Sequence, residues 1–332
     1  MDQPHQNTRS LVRDEPWPEL PWREWEPTIS TLHMWTQIVG KVRMALAPPL
    51  NHWWHVPLYV GSRGLTTSPI PFGPQQFQVD FDFVDHRLNV TESRGHAFAI
   101  PLEPKSVARF HREFMDGLRG LGINVRISTR PVEVANAIPF ESDEDYASYD
   151  ARHAHLFWPG LLAADRVTKA FQSGFIGKAS PVHFFWGGFD LATSRYSGRP
   201  APRHPGGIPN CPDWVMVEAL SHEEVSMGWW PRSEAPGPAF YSYTYPEPEG
   251  YRSVSVQPAD AYFDSQLGEF LLPYDAVRRA PDPDAAVQAF LQTTYEAGAD
   301  LGGWDRSALE PAVWPDRPPR RPWSTLDPST RP

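Results

Sequence analysis

The chain has 332 residues, with 40 acidic against 30 basic side chains and a formal net charge of −10. Its 38 prolines are about twice the average share, but 40% of residues are hydrophobic and 13% aromatic, more apolar bulk than a disordered chain carries. A nucleic-acid surface needs clustered Lys and Arg. The one basic cluster lies at residues 317–321, so a nucleic-acid partner is excluded and a globular fold with proline-punctuated turns is expected.

Residues 1–25 read as a poorly ordered flank. Leu32, Trp35, Ile38, Val39, Val42 and Leu46 recur at helical spacing and predict a helix over 31–46, stopped by Pro48-Pro49. Strand-like runs follow at 53–60, 65–70, 77–83, 87–91 and 97–102. The run 77–83 alternates cleanly, as a strand with one buried face does, and Asp85-His86 is a tight turn to the next. An amphipathic helix is expected over 104–121, with Val107, Phe110, Phe114 and Leu118 on one face, then a short strand at 125–128. The second half reads as a helix over 149–175, strands at 183–191, 240–245 and 270–273, a Pro/Gly-rich insertion at 203–214, and a helix over 284–299. The Pro/Arg-rich stretch 308–332 reads as a disordered tail.

The two halves share a grammar. Phe175-Ile-Gly-Lys178 echoes Ile38-Val-Gly-Lys41, His183 falls over His52, and Pro200, Pro202 and Pro273 fall on Pro69, Pro71 and Pro101. The expected fold class is α+β: two related α–β-meander–α units with antiparallel sheets, at 26–130 and 131–307, about a pseudo-two-fold axis. Two copies make a paired protein rather than a solenoid. The single Cys211 forms no internal disulfide, which fits a reducing cytoplasm. No basic segment with an apolar run opens the chain, and no stretch is long enough to span a membrane.

The strings Thr31-Leu-His-Met-Trp-Thr-Gln-Ile-Val-Gly-Lys41, Asn51-His-Trp-Trp-His55 and Val79-Asp-Phe-Asp-Phe-Val-Asp-His86 are distinctive. So are His183-Phe-Phe-Trp-Gly-Gly-Phe-Asp190, His204-Pro-Gly-Gly207 and Ser221-His-Glu-Glu224. Over residues 16–310 they resemble an uncharacterised bacterial family known only as a domain of unknown function. The resemblance implies one intact family member and carries no activity, cofactor or catalytic residue.

Candidate chemistry centres on histidines. Imidazole ligates Zn and Fe and serves as a base near pH 7. His52 and His55, three apart in a strand, point to opposite faces and do not chelate one ion. A two-fold axis could instead bring His52 and His183 into one inter-unit cleft, with His222 and either Glu223 or Glu224 as third metal ligand or orienting carboxylate. Such a site would suit iron or zinc, or acid–base catalysis by His183, His52 and Glu223; the alternative is a pair of core histidines. Ser221-x-x-Glu224 also fits a helix capping box. Trp54 and Trp186 are expected to wall the pocket, and Arg195 and Arg63 to orient an anionic group. Lys41 and Lys178, each after a glycine, suit helix C-termini.

The expected function is an enzyme, metal-dependent oxidoreductase or hydrolase, acting on a small anionic or aromatic metabolite in that His- and Trp-lined cleft. A non-catalytic binding or sensor protein using the same cleft is the alternative. A third reading is a scaffold whose Pro-rich tail docks a protein partner as polyproline II. Neither a Walker A loop, a dinucleotide glycine motif, a G-x-S-x-G elbow nor H-E-x-x-H is present.

Overall fold

A helix that is apolar on nearly every side must be buried, and the first helix is. In the computed structural model, which describes residues 16–231 and 237–310, α1 (Trp22–Leu46) buries an unbroken run from Thr28 to Arg43. Gly40 is required within it, because a Cβ there would stand 2.2 Å from the Trp186 indole. A turn over Asn51–Trp53 follows, in which His52 and Trp53 take positive φ (56° and 61°). The first sheet comprises β1 (Tyr59–Val60), β2 (Gly64–Thr66), β3 (Ile70–Phe72), β4 (Gln75–Asp82), β5 (Arg87–Glu92) and β6 (Ala97–Pro101). Its order is β1-β2-β4-β5-β6, with β3 also on β4. Phe77, Val79 and Phe81 of β4 are buried while Gln78 and Asp80 between them are less so, as the alternation predicts.

Ser106 caps α2 (Val107–Gly120), which buries Val107, Phe110, Phe114 and Leu118 as expected. Residues 121–150 then run without a strand, so the one expected at 125–128 is absent; its segment instead borders the cleft described below. After α3 (Ala151–Gln172), capped by Asp150, the second sheet contains β7 (His183–Phe185), β8 (Asp190–Pro200), β9 (His222–Trp230), β10 (Ala239–Tyr245), β11 (Tyr262–Asp264) and β12 (Glu269–Pro273). All its pairings are antiparallel, in the order β11-β12-β10-β9-β8-β7. The short α4 (Asp213–Ala219) sits in the β8–β9 connection. The chain closes with α5 (Tyr274–Arg279), α6 (Pro283–Leu301) and α7 (Arg306–Leu309).

The protein is thus α+β with two antiparallel sheets. They meet edge to edge, where Leu58 and Phe184 exchange both backbone hydrogen bonds at 2.9 and 2.8 Å. One apolar core runs from Trp17 to Trp304 across both halves. Sheet position does not follow the strand correspondence expected from the sequence. Counting from the shared seam, β4 is the third strand on the main path of its sheet, whereas β10 is the fourth of its own. The 1–25 flank is packed from Trp17 onward, since Trp17, Leu20 and Trp25 are core residues. At the other end, Leu309 accepts from Ile176 and Gly177; the expected tail beyond 310 lies outside the described residues. Among the described residues no helix is long and apolar enough to cross a membrane.

Candidate functional site

Alternation along β8, β9 and β10 sorts their residues onto two faces. Leu191, Val225, Met227, Trp229 and Phe240 are fully buried on one, against α3 and α6. The other face presents Asp190, Ser194, Tyr196, Glu224, Ser226, Trp230, Tyr241 and Tyr243 to a cleft of about 980 Å³. The β8–β9 connection roofs it with His204, Cys211 and Trp214; residues 130–133, the end of α1 and the turn bearing His52, Trp53 and Trp54 complete the walls. The Pro/Gly-rich insertion is therefore a wall of the site, as loops of that length often are.

At one end, the backbone carbonyl of Ala219 can only accept, so His52 donates to it from Nδ1 at 2.7 Å. That fixes Nε2 as the lone-pair nitrogen, and it accepts from Lys178 Nζ at 2.7 Å. Burial lowers the pKa of both His52 and Lys178. The Lys178 nitrogen also stands 4.9 Å from the Tyr196 ring centre and 5.6 Å from that of Trp54. Beside it Glu224 is 3% exposed. Burial pushes its carboxyl up to about 8, although the Tyr196 and Ser194 hydroxyls and the Lys178 charge favour ionisation. Glu224 therefore gives up its proton less readily than a solvated carboxyl.

Further along the same face, Asp190 accepts from the Tyr241 hydroxyl at 2.5 Å, and burial pushes it up to about 6. Glu133 reaches over the β7–β8 turn, where a Cβ on Gly187 would stand 2.1 Å from its Oε1. Water reaches Glu133 through the cleft, but protein crowds its other sides; that burial, with the Asp190 charge, pushes it up to about 7. Glu269 rises to about 8 for the same two reasons. Cys211 is no nucleophile, because burial pushes its thiol up to about 11.

The residues expected at the site divide. His52, His183, Trp54 and Trp186 line the cleft; Trp186 is fixed there by its indole N–H, which donates to Val56 at 2.9 Å. Three others are elsewhere. Arg195 points to the helix face, where it packs 3.5 Å over Phe171 and donates to Phe171 and Gln172; its neighbours Ser194 and Tyr196 take the cleft. Arg63 is held on the first sheet by Asp82 and Asp85, each at 2.6 Å. Glu223 pairs with Arg199 at 2.6 Å, and strand parity gives the cleft to Glu224 instead. The expected capping box is not formed, because β9 begins at His222.

The three histidines do not converge. His52 and His222 rings lie 5.5 Å apart, but Trp54 stands between His52 and His183, 5.2 and 6.1 Å from each. His52 has both ring nitrogens engaged, and among the described residues no group of three His, Cys, Asp or Glu side chains is disposed to hold a metal ion. Asp190, Tyr196, Tyr241 and Tyr243 were not expected as site residues, and Glu224 was expected only as an alternative to Glu223. The alternating tyrosines of 240–245 were the available signal. Lys178 was expected mainly at a helix C-terminus, with a substrate-anion contact as the alternative.

No curated protein and no solved structure matches the chain. Residues 17–311 match a family of unknown function, DUF5996, and the chain belongs to that family.

Proposed function

We propose that the protein is an enzyme that carries out acid–base proton transfer on a small, partly aromatic, anionic molecule in this cleft. Glu224 is the acid and Lys178 the base. The observation that supports this reading is a buried Glu224 on the wall of an open cleft, its pKa raised by burial, next to a lysine held by the His52 lone pair. Opposed titratable groups whose environments move their pKa values toward neutrality are the usual equipment of such catalysis. Glu224 gives its proton to a ligand oxygen or nitrogen. Lys178, in its free-amine fraction, takes one from carbon or a heteroatom. His52 keeps the nitrogen of this solvent-exposed lysine in place, and the Trp54 and Tyr196 rings flank it.

The test is turnover. The full chain is incubated in D2O with a panel of aromatic and aliphatic carboxylic acids, and deuterium incorporation or conversion is followed by NMR. Expected is turnover by the wild type and a loss of about 10² or more in rate for Glu224→Gln and Lys178→Met. Wild-type rates in Glu224→Gln would refute the assignment. Saturable binding without turnover of any compound would overturn the enzyme reading in favour of a binding protein using the same cleft.

A further inference from the structure

Arg43, in the last turn of α1, is 8% exposed, and its guanidinium stands 5.6 Å from the ring centre of Tyr59. It shares a side-chain hydrogen bond with Tyr59, but its Nε and Nη1 have no acceptor, and among the described residues it forms no ion pair. A helix C-terminus is the favourable end for a cation, but the Arg43 carbonyl is already taken by the Ala47 N–H at 2.8 Å. A guanidinium does not escape burial by losing its proton at neutral pH. A buried charge is ordinarily paired, and here no carboxylate among the described residues pairs with it.

A second orphan stands beside it. His183 opens β7 and is 1% exposed, yet neither ring nitrogen has a partner. Its ring lies 5.6 Å from Tyr59 and 5.4 Å from Phe185, and it forms part of the cleft wall. Burial and the Arg43 charge push its pKa to about 3, so it is neutral with one N–H to give. His55 flanks Arg43, accepting the Leu50 N–H at Nδ1, which leaves its proton on Nε2. The neighbourhood thus offers donors and one positive charge; its acidic group, Glu218, acts on His55 and makes no ion pair with Arg43.

We propose that Arg43 and His183, with Tyr59 between them, bind the carboxylate of the cleft's ligand. The inference rests on the cleft being a ligand site and names the chemistry of one end of that ligand. One cation against Tyr59, behind the cleft wall formed by His183, Trp54 and Phe185, suits a monoanion; a phosphate dianion would leave a negative charge buried. Trp54 lies 6.1 Å from His183 and 6.0 Å from Tyr196. It therefore spans the distance from the anion end to the acid–base end, and a planar body lying along it would put its far atoms beside Glu224 and Lys178.

The experiment is calorimetric titration of the full chain, in chloride-free buffer, with benzoate, benzamide and inorganic phosphate. Expected is saturable benzoate binding, with benzamide at least about tenfold weaker and phosphate weaker still; Arg43→Met should weaken benzoate by about tenfold or more and Arg43→Lys by less. Glu223→Gln should leave it unchanged. Arg43→Met should also keep or raise the melting temperature of the ligand-free protein, because it removes an uncompensated buried charge. Equal benzoate affinity in Arg43→Met and wild type would overturn the subsite, as would phosphate binding tighter than benzoate. If Arg43→Met does not fold, His183→Ala and Tyr59→Phe are read in the same way. Benzoate binding that survives Arg43→Met but is lost in Trp54→Ala would sink the subsite and leave the cleft standing. Binding of none of the three probes would remove both readings.

Discussion

Asp82 on the first sheet and Glu224 on the second are both buried carboxyls on antiparallel strands, and they are treated in opposite ways. Burial alone would raise Asp82, but Arg63 at 2.6 Å and the Val84 and Asp85 N–H groups at 2.9 Å more than offset it, and its pKa is lowered. Glu224 is given hydroxyls and a nearby lysine that is not in an ion pair with it, and its pKa is raised. A carboxylate supplied with charged and backbone donors serves the fold. One left short of them costs stability, and such groups concentrate where chemistry is done. The same contrast separates two buried arginines: Arg195 is fully employed on the helix face, and Arg43 is not.

The contrast can be broken by experiment, most directly through pH. Glu224 takes up a proton on folding, since its pKa rises from 4.5 to about 8. The folded state binds more protons between those values, so stability falls as pH rises through that window and levels off above it. Asp190 and Glu269 act in the same direction, whereas the buried histidines with lowered pKa act oppositely as pH rises toward 6.5. Above that range, urea denaturation should show the protein less stable at pH 8.5 than at pH 7 by about 1 kcal/mol, with Glu224→Gln flattening part of the slope. An unchanged slope would mean that Glu224 is ionised in the fold.

Arg195→Met should cost about 1–2 kcal/mol, because the Gln172 side-chain oxygen loses its donor and the Phe171 carbonyl keeps only backbone donors such as the Gly174 N–H. Benzoate affinity should not change. Asp82→Asn is of similar size, about 1–2 kcal/mol by chemical denaturation at pH 7. The sign for Asp82 is opposite to that for Glu224. Its contribution is present above its unfolded pKa of 3.8 and is lost as pH falls through the lower folded value, so the variant should differ least from wild type in acid. Glu223→Gln breaks a half-exposed pair with Arg199 and should shift stability by less than about 1 kcal/mol. A cost near that of Asp82→Asn would show that the outer faces of the two sheets carry more than this comparison gives them.

Much of the fold was legible from period alone. The 77–83 alternation, the α2 face and the long apolar helices declare themselves locally, and so does the turn at Asp85-His86. What stayed hidden depends on partners distant in sequence. The strand expected through His52 fails because two left-handed residues turn the chain there, so that His52 faces Ala219 from 167 residues away. The site was half legible. His52, His183, Trp54 and Trp186 stood out by composition, but choosing between Glu223 and Glu224, or between Arg195 and its neighbours, requires strand parity relative to a cleft. That parity is fixed only when β8 and β9 pair. Lys178 was visible as a repeat of Gly-Lys and acquired its meaning from His52.

The roof over the cleft is tied down by little. Pro209 accepts from Glu133, Asn210 donates to Val134 and accepts from Arg130, the Tyr245 hydroxyl donates to Pro202, and Ala219 accepts from His52. Trp214, 60% exposed, rests against Trp53 with ring centres 5.3 Å apart. None of these bonds belongs to a strand ladder, so the roof can lift without disturbing either sheet. How long a molecule dwells inside would then be a property of this latch, set by how often a handful of contacts let go together, on the microsecond-to-millisecond scale typical of such openings.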